Sequence, residues 1–407
     1  MKIFSVALGI LAAIGGFVDI GDIVFNVAAG AMFGYDLLWV VVVGVGGIIV
    51  YSEMCGRVAA VSQKAVFDAV RERVGFGAGL VTLIGAELTT LLTLTAEIGG
   101  VAICLQLLSG FGYRWLVLVG VVALAVVVWV TPFEWIERIF GYGGLCLLVF
   151  ALAAYELHPD WGAVANGFVP SIETNDTLVF LFFAVGLLGA AMTPYEVYFY
   201  SSGGVEEGWT PKDLGVNRAN AIIGYSLGGI LSVILMIVGG TLFLLHGIEP
   251  ESLATVALGA EVPLGTIGLL VALVGILFAV SGAAIDTVFA GAYNISQFFG
   301  WEWGRYRSNA GAPRFTAAWI AMLLAACAIV LTGVDPVQLT EYAVIFSVVA
   351  LPLTYLPILL VANDRAYMGS HANGPIANIL GIGYFVVIMV VAVSAIPLLI
   401  ATNVGQG

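Results

Sequence analysis

The sequence predicts an all-α polytopic membrane protein, and three observations predict it. Of its 407 residues, 61% are hydrophobic and only 10% are charged, whereas soluble globular domains carry about 25% charged residues. The mean hydropathy is +1.09. Apolar runs of roughly 20 residues, the length of a helix that crosses the bilayer, recur along the whole chain. Runs of this length are typical of helices and not of the short alternating strands of outer-membrane barrels.

Charged and Gly/Pro-rich segments divide the apolar runs into eleven predicted spans. The segments between them reach about 20 residues, which is too short for a separate soluble core. We therefore expect one integral membrane domain over residues 1–401. The predicted spans lie near residues 3–33, 36–55, 78–108, 114–131, 139–157, 178–202, 219–246, 262–299, 315–334, 340–362 and 376–401.

The basic residues predict the orientation of the chain. With the N-terminus in the cytoplasm, twelve of the thirteen Lys and Arg residues fall in cytoplasmic segments and only Arg114 lies outside, as the positive-inside rule requires. The C-terminus is then external, and the protein is expected in the cell membrane. The loops predicted to be external are acidic, with Asp160, Glu173 and Asp176 after the fifth span and Glu249, Glu251 and Glu261 after the seventh.

Net charge, cysteines and histidines limit the kinds of site and partner. The net charge of −13 with only three lysines favours a high-salt habitat, where screening removes self-repulsion, and excludes a nucleic-acid partner. The cysteines stand singly, without the spacing of a disulfide, zinc or iron–sulfur site. All histidines fall in predicted loops, so no histidine relay crosses the membrane. No arrangement of residues typical of a hydrolase is apparent, and we expect neither an enzyme nor a resident cofactor. The cysteines are Cys55, Cys104, Cys146 and Cys327, and the histidines are His158, His246 and His371.

Two predicted helices are broken beside carboxylates, at Gly15–Asp22 in the first span and at Gly189–Glu196 in the sixth. Gly and Pro interrupt helices, and an unwound backbone at this depth must line a cavity. A broken helix at the start of each of two five-helix halves is typical of inverted-repeat transporters, whose substrate lies between the unwound segments. The repeats would cover about residues 3–157 and 178–362, with the span at 376–401 peripheral.

Six acidic residues lie well inside predicted spans, away from the span ends, and no Lys or Arg lies in the middle of any span. An ionised carboxylate in hydrocarbon costs at least ~2.5 kcal/mol, so these groups need a bound cation, a proton or both. Simpler roles stay open for three of them: a helix N-cap for Asp22, and a protonated carboxyl bonded to a neighbouring helix for Glu87 and Asp286. The six are Asp19, Asp22, Glu87, Glu97, Glu196 and Asp286.

These motifs resemble the natural-resistance-associated macrophage protein (Nramp) family. The run Asp19-Ile20-Gly21-Asp22, with the Ala28–Tyr35 segment after it, is similar to the family's Asp-Pro-Gly-Asn segment and its sequel. The resemblance implies the leucine-transporter-like 5+5 inverted repeat with helices 1 and 6 broken, and import of divalent transition metals, usually with protons. Further matches follow in the same order at Ala96–Gly99, Pro194, Tyr198, Ser201, Ala290-Gly291, Leu351-Pro352 and Asn363–Gly369.

The departures from the family fall on the implied metal site. Asp19 matches the family's Asp, whereas Asp22 replaces its Asn, Thr193 stands where its Met belongs, and Glu196 replaces a neutral side chain. An all-oxygen ligand set suits Mg²⁺, Mn²⁺ or Ca²⁺ better than softer metals. Superfamily members that lack the Met are associated with Mg²⁺ transport, and this sequence is similar to them in kind. We expect an Mg²⁺ or Mn²⁺ cargo held by Asp19, Asp22, Thr193, Glu196 and the opened backbone around Gly16 and Ala190.

Coupling to protons is doubtful on the same grounds. Tyr195 replaces the family's His, and a phenol with an ordinary pKa of about 10 does not titrate near pH 7. Leu94 replaces one acid of the family's relay, although Glu97 remains. Uncoupled flow and a proton path through Glu97, Tyr195 and Asp286 both stay open. The alternative cargo is an organic cation or an amino acid, coupled to Na⁺ or H⁺, with Asp19 binding an amine.

Overall fold

The structure, a computed structural model, describes residues 18–172, 174, 176–248, 250, 252–334 and 336–403. The side chains of residues 336 and 337 are not described. The predictions for Gly16, Glu173, Glu249 and Glu251, and for residues 3–17 of the first span, lie outside these residues.

The first half of the described chain consists of helices joined by short turns. Four of its predicted spans are long and apolar enough to cross a membrane, and α1 is the described part of the span before them. The helices are α1 (Ile20–Phe33), α2 (Leu38–Ser62), α3 (Val66–Val74), α4 (Phe76–Ser109), α5 (Tyr113–Val130), α6 (Phe133–Gly144), a 3₁₀ turn (Leu145–Leu148), α7 (Val149–Glu156) and α8 (Trp161–Asn166).

The second half adds six candidate membrane spans. Pro at the first position begins α10, α14 and α17, where its missing N–H costs no hydrogen bond. The helices are α9 (Thr177–Ala191), α10 (Pro194–Glu206), α11 (Leu214–Val238) with a π turn (Gly239–Phe243) and α12 (Leu244–His246) after it, α13 (Leu253–Phe299), α14 (Pro313–Leu331), α15 (Pro336–Asn363), α16 (Arg365–Met368) and α17 (Pro375–Ala401).

The described helices match the eleven predicted spans in order, with differences at the boundaries. The second span continues to Ser62, past the predicted end at residue 55, and the fifth begins at Phe133 instead of 139. The eighth contains a kink at Gly265, whose φ of 69° is accessible to glycine. The amphipathic helix α3 was not predicted, because it is short and its mean composition is polar.

Helices α1, α9 and α10 lie in the middle of the bundle. Helix α1 packs on α11 and α9, while α9 and α10 pack on α2, α13 and α15. Helix α4 lies along α13 on the other side of the break. We call the end of the bundle that carries the loops 63–75, 207–213, 300–312 and 364–374 the basic face.

Candidate functional site

Asp19 begins helix α1. Its side chain accepts the backbone N–H of Asp22 at 2.9 Å, so Asp19 is the N-cap and Asp22 lies in the first turn. The interpretation of Asp22 as the cap is therefore wrong. Because Asp19 caps the helix, the carboxylate of Asp22 is not needed for that role and is available for another partner.

Asp22 is held from two helices but is only half satisfied. Its Oδ1 accepts hydrogen bonds from Asn26 Nδ2 at 3.3 Å and from Ser232 Oγ of α11 at 3.4 Å. Its Oδ2 has no hydrogen-bond partner within the described part of the chain, although the side chain is 1% exposed. A buried carboxylate oxygen without a donor favours a bound cation or a proton.

The second break consists of Met192 and Thr193, between α9 and α10. The Thr193 hydroxyl donates to Glu196 Oε1 at 2.5 Å, and Glu196 Oε2 has no partner among the residues described. The predicted break at Gly189–Glu196 was too wide, because Gly189 and Ala190 are helical and Pro194 begins the next helix. Ala190 lies in the last turn of α9, where backbone carbonyls lack helical partners.

Met192 does not take the place of the methionine that the family uses. Its thioether packs against α2, since a Cβ added at Gly47 would lie 2.6 Å from Met192 Sδ. Its carbonyl oxygen accepts a hydrogen bond from Tyr355 at 3.1 Å. Thr193, the next residue, is the one whose side chain reaches Glu196.

The acids of α1 and of the second break lie within electrostatic range of one another. The charges of Asp19, Asp22 and Asp286 all act on the Glu196 carboxyl, and those of Asp19 and Asp286 act on Glu97. None of Asp19, Asp22, Glu97 and Glu196 forms an ion pair with another described residue. The carboxyl groups of the site therefore need a bound cation or protons to compensate their charge.

The residues predicted for a proton path surround this site. Glu97 is fully buried; its Oε1 accepts from Thr287 Oγ1 of α13 at 3.1 Å, and its Oε2 has no partner in the described chain. Tyr195 is also buried, while Asp286, next to Thr287, is partly exposed. Glu87 lies apart from them, against Gly291, where a Cβ would approach Glu87 Oε2 to 3.0 Å.

Sequence reasoning missed three hydrogen-bonding side chains of the site. Asn26 lies four residues after Asp22 on one helix, and that spacing could have revealed it. Ser232 and Thr287 come from α11 and α13, far along the chain, and no local pattern marks them. Their contacts with Asp22 and Glu97 appear only in the folded protein.

Helix α9 is interrupted before α10 at Met192 and Thr193, and a span broken in this way inside a helical bundle is typical of membrane transporters. The family model described as natural resistance-associated macrophage protein-like matches residues 9–397, so the chain belongs to the Nramp family. Its members are metal transporters and not enzymes, and they carry divalent ions as cargo without a cofactor. The expected fold, family and absence of enzymatic activity are confirmed.

Curated relatives align along nearly the whole chain. The divalent metal cation transporter MntH of Aeromonas hydrophila is 26% identical over 407 residues, covering 95% of this chain and 93% of that protein. MntH of Deinococcus radiodurans is 25% identical over 393 residues, covering 93% and 86%.

Solved structures show the same fold. The manganese transporter of Eremococcus coleocola, in complex with an aromatic bis-isothiourea compound, superposes with a TM-score of 0.79 at 20% identity, covering 97% of this chain and 86% of that one. Mhp1, a nucleobase-cation-symport-1 family transporter, gives 0.60 at 15% identity, covering 98% and 92%.

Proposed function

We propose that this protein carries a hard divalent cation, Mg²⁺ or Mn²⁺, through the mid-membrane site by alternating access. The proposal rests on two buried carboxylate oxygens that have no hydrogen-bond partner among the described residues. They are Asp22 Oδ2 in the first turn of α1 and Glu196 Oε2 beside the second break. Thr193, Asn26 and Ser232 add only oxygen or nitrogen atoms, and the thioether of Met192 packs elsewhere. Oxygen ligands suit Mg²⁺ and Mn²⁺.

The arrangement favours an ion that keeps part of its water. Within the described residues, no three His, Cys, Asp or Glu side chains converge as a preformed metal-binding group. Mg²⁺ dehydrates reluctantly and is commonly bound by one or two carboxylates with several waters retained. Water molecules between the ion and Asp19, Asp22 and Glu196 would complete its coordination.

The relatives favour Mn²⁺, and the substituted residues favour Mg²⁺. The Aeromonas relative is named a divalent metal cation transporter and the Eremococcus structure a manganese transporter. Both ions fit an all-oxygen site, so the choice between them needs measurement. The alternative of an organic-cation or amino-acid carrier has less support, because the family transports metals.

We also propose that transport is not coupled to protons. Tyr195 stands where the family has a histidine, and Leu94 where it has an acid. The membrane potential supplies about 2.3 kcal/mol per charge per 100 mV, which is sufficient to drive a divalent cation inward. The competing path would move a proton through Glu97 and Asp286.

The test is ion uptake into proteoliposomes that contain the purified protein. Mg²⁺, Mn²⁺, Ca²⁺ and Cd²⁺ are offered separately while internal pH is recorded. We expect Mg²⁺ or Mn²⁺ influx without acidification, lost in Asp19→Ala and reduced at least about tenfold in Asp22→Asn. Glu302→Gln, which removes an exposed carboxylate of the loop before α14, should leave uptake unchanged.

Each result decides one part of the proposal. Acidification that accompanies uptake would assign a proton to the carboxylates and contradict uncoupled transport. Strong preference for Cd²⁺ over Mg²⁺ would contradict the hard-ion assignment. Absence of any divalent flux under an inward gradient and an inside-negative potential would overturn the metal proposal itself.

A further inference from the structure

Arg305 belongs to a loop, yet it is buried. It lies between α13 and α14, and its side chain is only 2% exposed. The centre of its guanidinium is 3.9 Å from the ring centroid of Phe133 at the start of α6, 5.5 Å from that of Phe199 in α10 and 5.2 Å from that of Tyr306. These three rings form an aromatic socket that removes the charge from water.

Three carboxylates surround the guanidinium in this socket. Nε lies 3.3 Å from Glu206 Oε2, while Nη2 lies 3.3 Å from Glu207 Oε1 and 4.0 Å from Glu137 Oε1. The backbone N–H of Arg305 donates to Glu206 Oε1 at 2.7 Å, and the Tyr293 hydroxyl donates to Glu206 Oε2 at 2.5 Å. One residue therefore joins the ends of α6, α10 and α13.

The elements joined here are those that lead away from the ion site. Helix α10 begins at the second break, beside Thr193 and Glu196, and ends at Glu206. Asp286 of α13 lies within electrostatic range of both Glu137 and Arg305. Thr287, the residue after Asp286, donates a hydrogen bond to Glu97 of the ion site. Glu97, Asp286 and Glu137 therefore form a series of acidic side chains between the ion site and the aromatic socket.

We propose that Arg305 is a tethered cation that locks the basic-face end of the ion path. While the path is shut, its guanidinium pairs with Glu137, Glu206 and Glu207, and it withdraws before an ion can leave past Asp286 and Glu137. This proposal rests on the proposed transport function.

The chemistry of the socket determines how the lock opens. Burial opposes the charge of Arg305, but Tyr293, Glu137 and the other acidic groups around it outweigh burial and hold its pKa above the ordinary value. Arg305 therefore stays charged, and the lock opens by movement instead of deprotonation. With three carboxylates around one guanidinium, an arriving cation can replace Arg305 on one of them.

Arg307 provides a matched control in the same loop. It pairs with Glu302 at 2.5 Å, but the two side chains are 53% and 67% exposed. Exposed pairs contribute little, because water and salt screen them. Arg307→Ala removes the same kind of side chain without opening the socket.

The first measurement is alkylation of a single cysteine on the ion path. Ala290→Cys, in a variant whose four native cysteines are replaced by alanine, lies one turn from both Asp286 and Tyr293 on α13 and is buried. In purified protein, we expect N-ethylmaleimide to modify it at least about tenfold faster in Arg305→Ala. Arg305→Lys should give an intermediate rate, and Arg307→Ala the parental rate.

The outcomes distinguish a lock from a structural role. Equal rates in Arg305→Ala and Arg307→Ala would overturn the proposal. If Arg305→Ala does not fold, Arg305→Met keeps the apolar stem against Phe133, and an unchanged rate in a folded Arg305→Met protein would also overturn it. Because alkylation needs no ion, the result stands independently of divalent uptake, whose failure in the parental protein would count against the proposed function alone.

Discussion

Adjacent residues at the second break have different roles. Thr193 donates to Glu196, whereas the Met192 side chain packs on Gly47 of α2 and its carbonyl is bonded by Tyr355. A methionine is thus present one position away from the place where a thioether could reach an ion. In the proposed ion site, this one-residue offset leaves oxygen atoms and no thioether beside Glu196.

We expect Thr193→Met to soften the site. A thioether beside Asp22 and Glu196 would favour soft ions, so the ratio of Cd²⁺ to Mg²⁺ uptake should rise at least about tenfold. Met192→Leu is the matched control, since it removes a thioether that packs against α2 and should leave the ratio unchanged. Competition between Cd²⁺ and Mg²⁺ in one proteoliposome preparation measures this uptake ratio. A changed ratio in Met192→Leu would contradict the conclusion that the Met192 thioether does not reach the ion.

The sequence predicts which acids form the candidate site, but not the side chains that hydrogen-bond to them. Asp19, Asp22 and Glu196 could be identified because carboxylates within apolar runs are costly and therefore informative. Their hydrogen-bond partners Ser232 and Thr287 are ordinary residues of other spans, and serine and threonine are common in membrane helices. The sequence leaves an N-cap role open for Asp22, whereas the cap is Asp19, because either residue can precede a helix and spacing alone does not choose between them.

Helix α1 is fixed to α11 through direct backbone contact. A Cβ added at Gly30 would lie 2.2 Å from the Met236 carbonyl oxygen, and one at Gly239 would lie 2.3 Å from that of Val27. The π turn after α11 falls within this contact. Because Ser232 of α11 also bonds Asp22, the two helices form one support for the first half of the ion site.

Gly30→Ala should break this support. The added methyl group meets backbone that cannot rotate away, so we expect a loss of about 1–3 kcal/mol in stability and a lower melting temperature in detergent. Gly77→Ala, near the start of α4, is the control, because no atom lies within 4 Å of its added Cβ. Its melting temperature should stay equal or rise, since alanine favours helix. Equal melting of all three proteins would contradict the close approach.

Span lengths were predictable because a membrane helix needs a fixed apolar length. The break at Gly189–Glu196 was drawn too wide, because glycine in a sequence signals either an unwound backbone or close helix packing. Gly189 belongs to the second kind: it is helical, and its Cβ would contact Val348 of α15 at 2.3 Å. The kink at Gly265 also escaped prediction, although Glu261 and Pro263 lie directly before it, because a proline near the start of a span also marks a helix beginning.

Charge is distributed unevenly over the whole molecule, and the lock at Arg305 belongs to that distribution. The basic-face loops contain Lys64, Arg71, Arg73, Arg305 and Arg307. The buried acids of the ion site lie further inside the bundle. Arg71 donates to the carbonyls of Gln297 and Phe298 at the end of α13, where a cation interacts favourably with the helix dipole. Arg71 thus binds the end of one helix, and by the positive-inside rule the basic residues together predict the orientation of the chain.

The orientation itself is the last prediction, with the basic face in the cytoplasm and the end of α17 outside. Positive segments are retained on the cytoplasmic side during insertion, and twelve of thirteen basic residues obey this rule only with eleven spans. Alkaline phosphatase fused after Asn403 should be active and green fluorescent protein there dark. The same reporters inserted after His371, before α17, should give the reverse. Equal reporter activity at both positions would show that α17 does not cross the membrane. Reversed signals at both positions would show that the basic face, with the Arg305 lock, lies outside the cell.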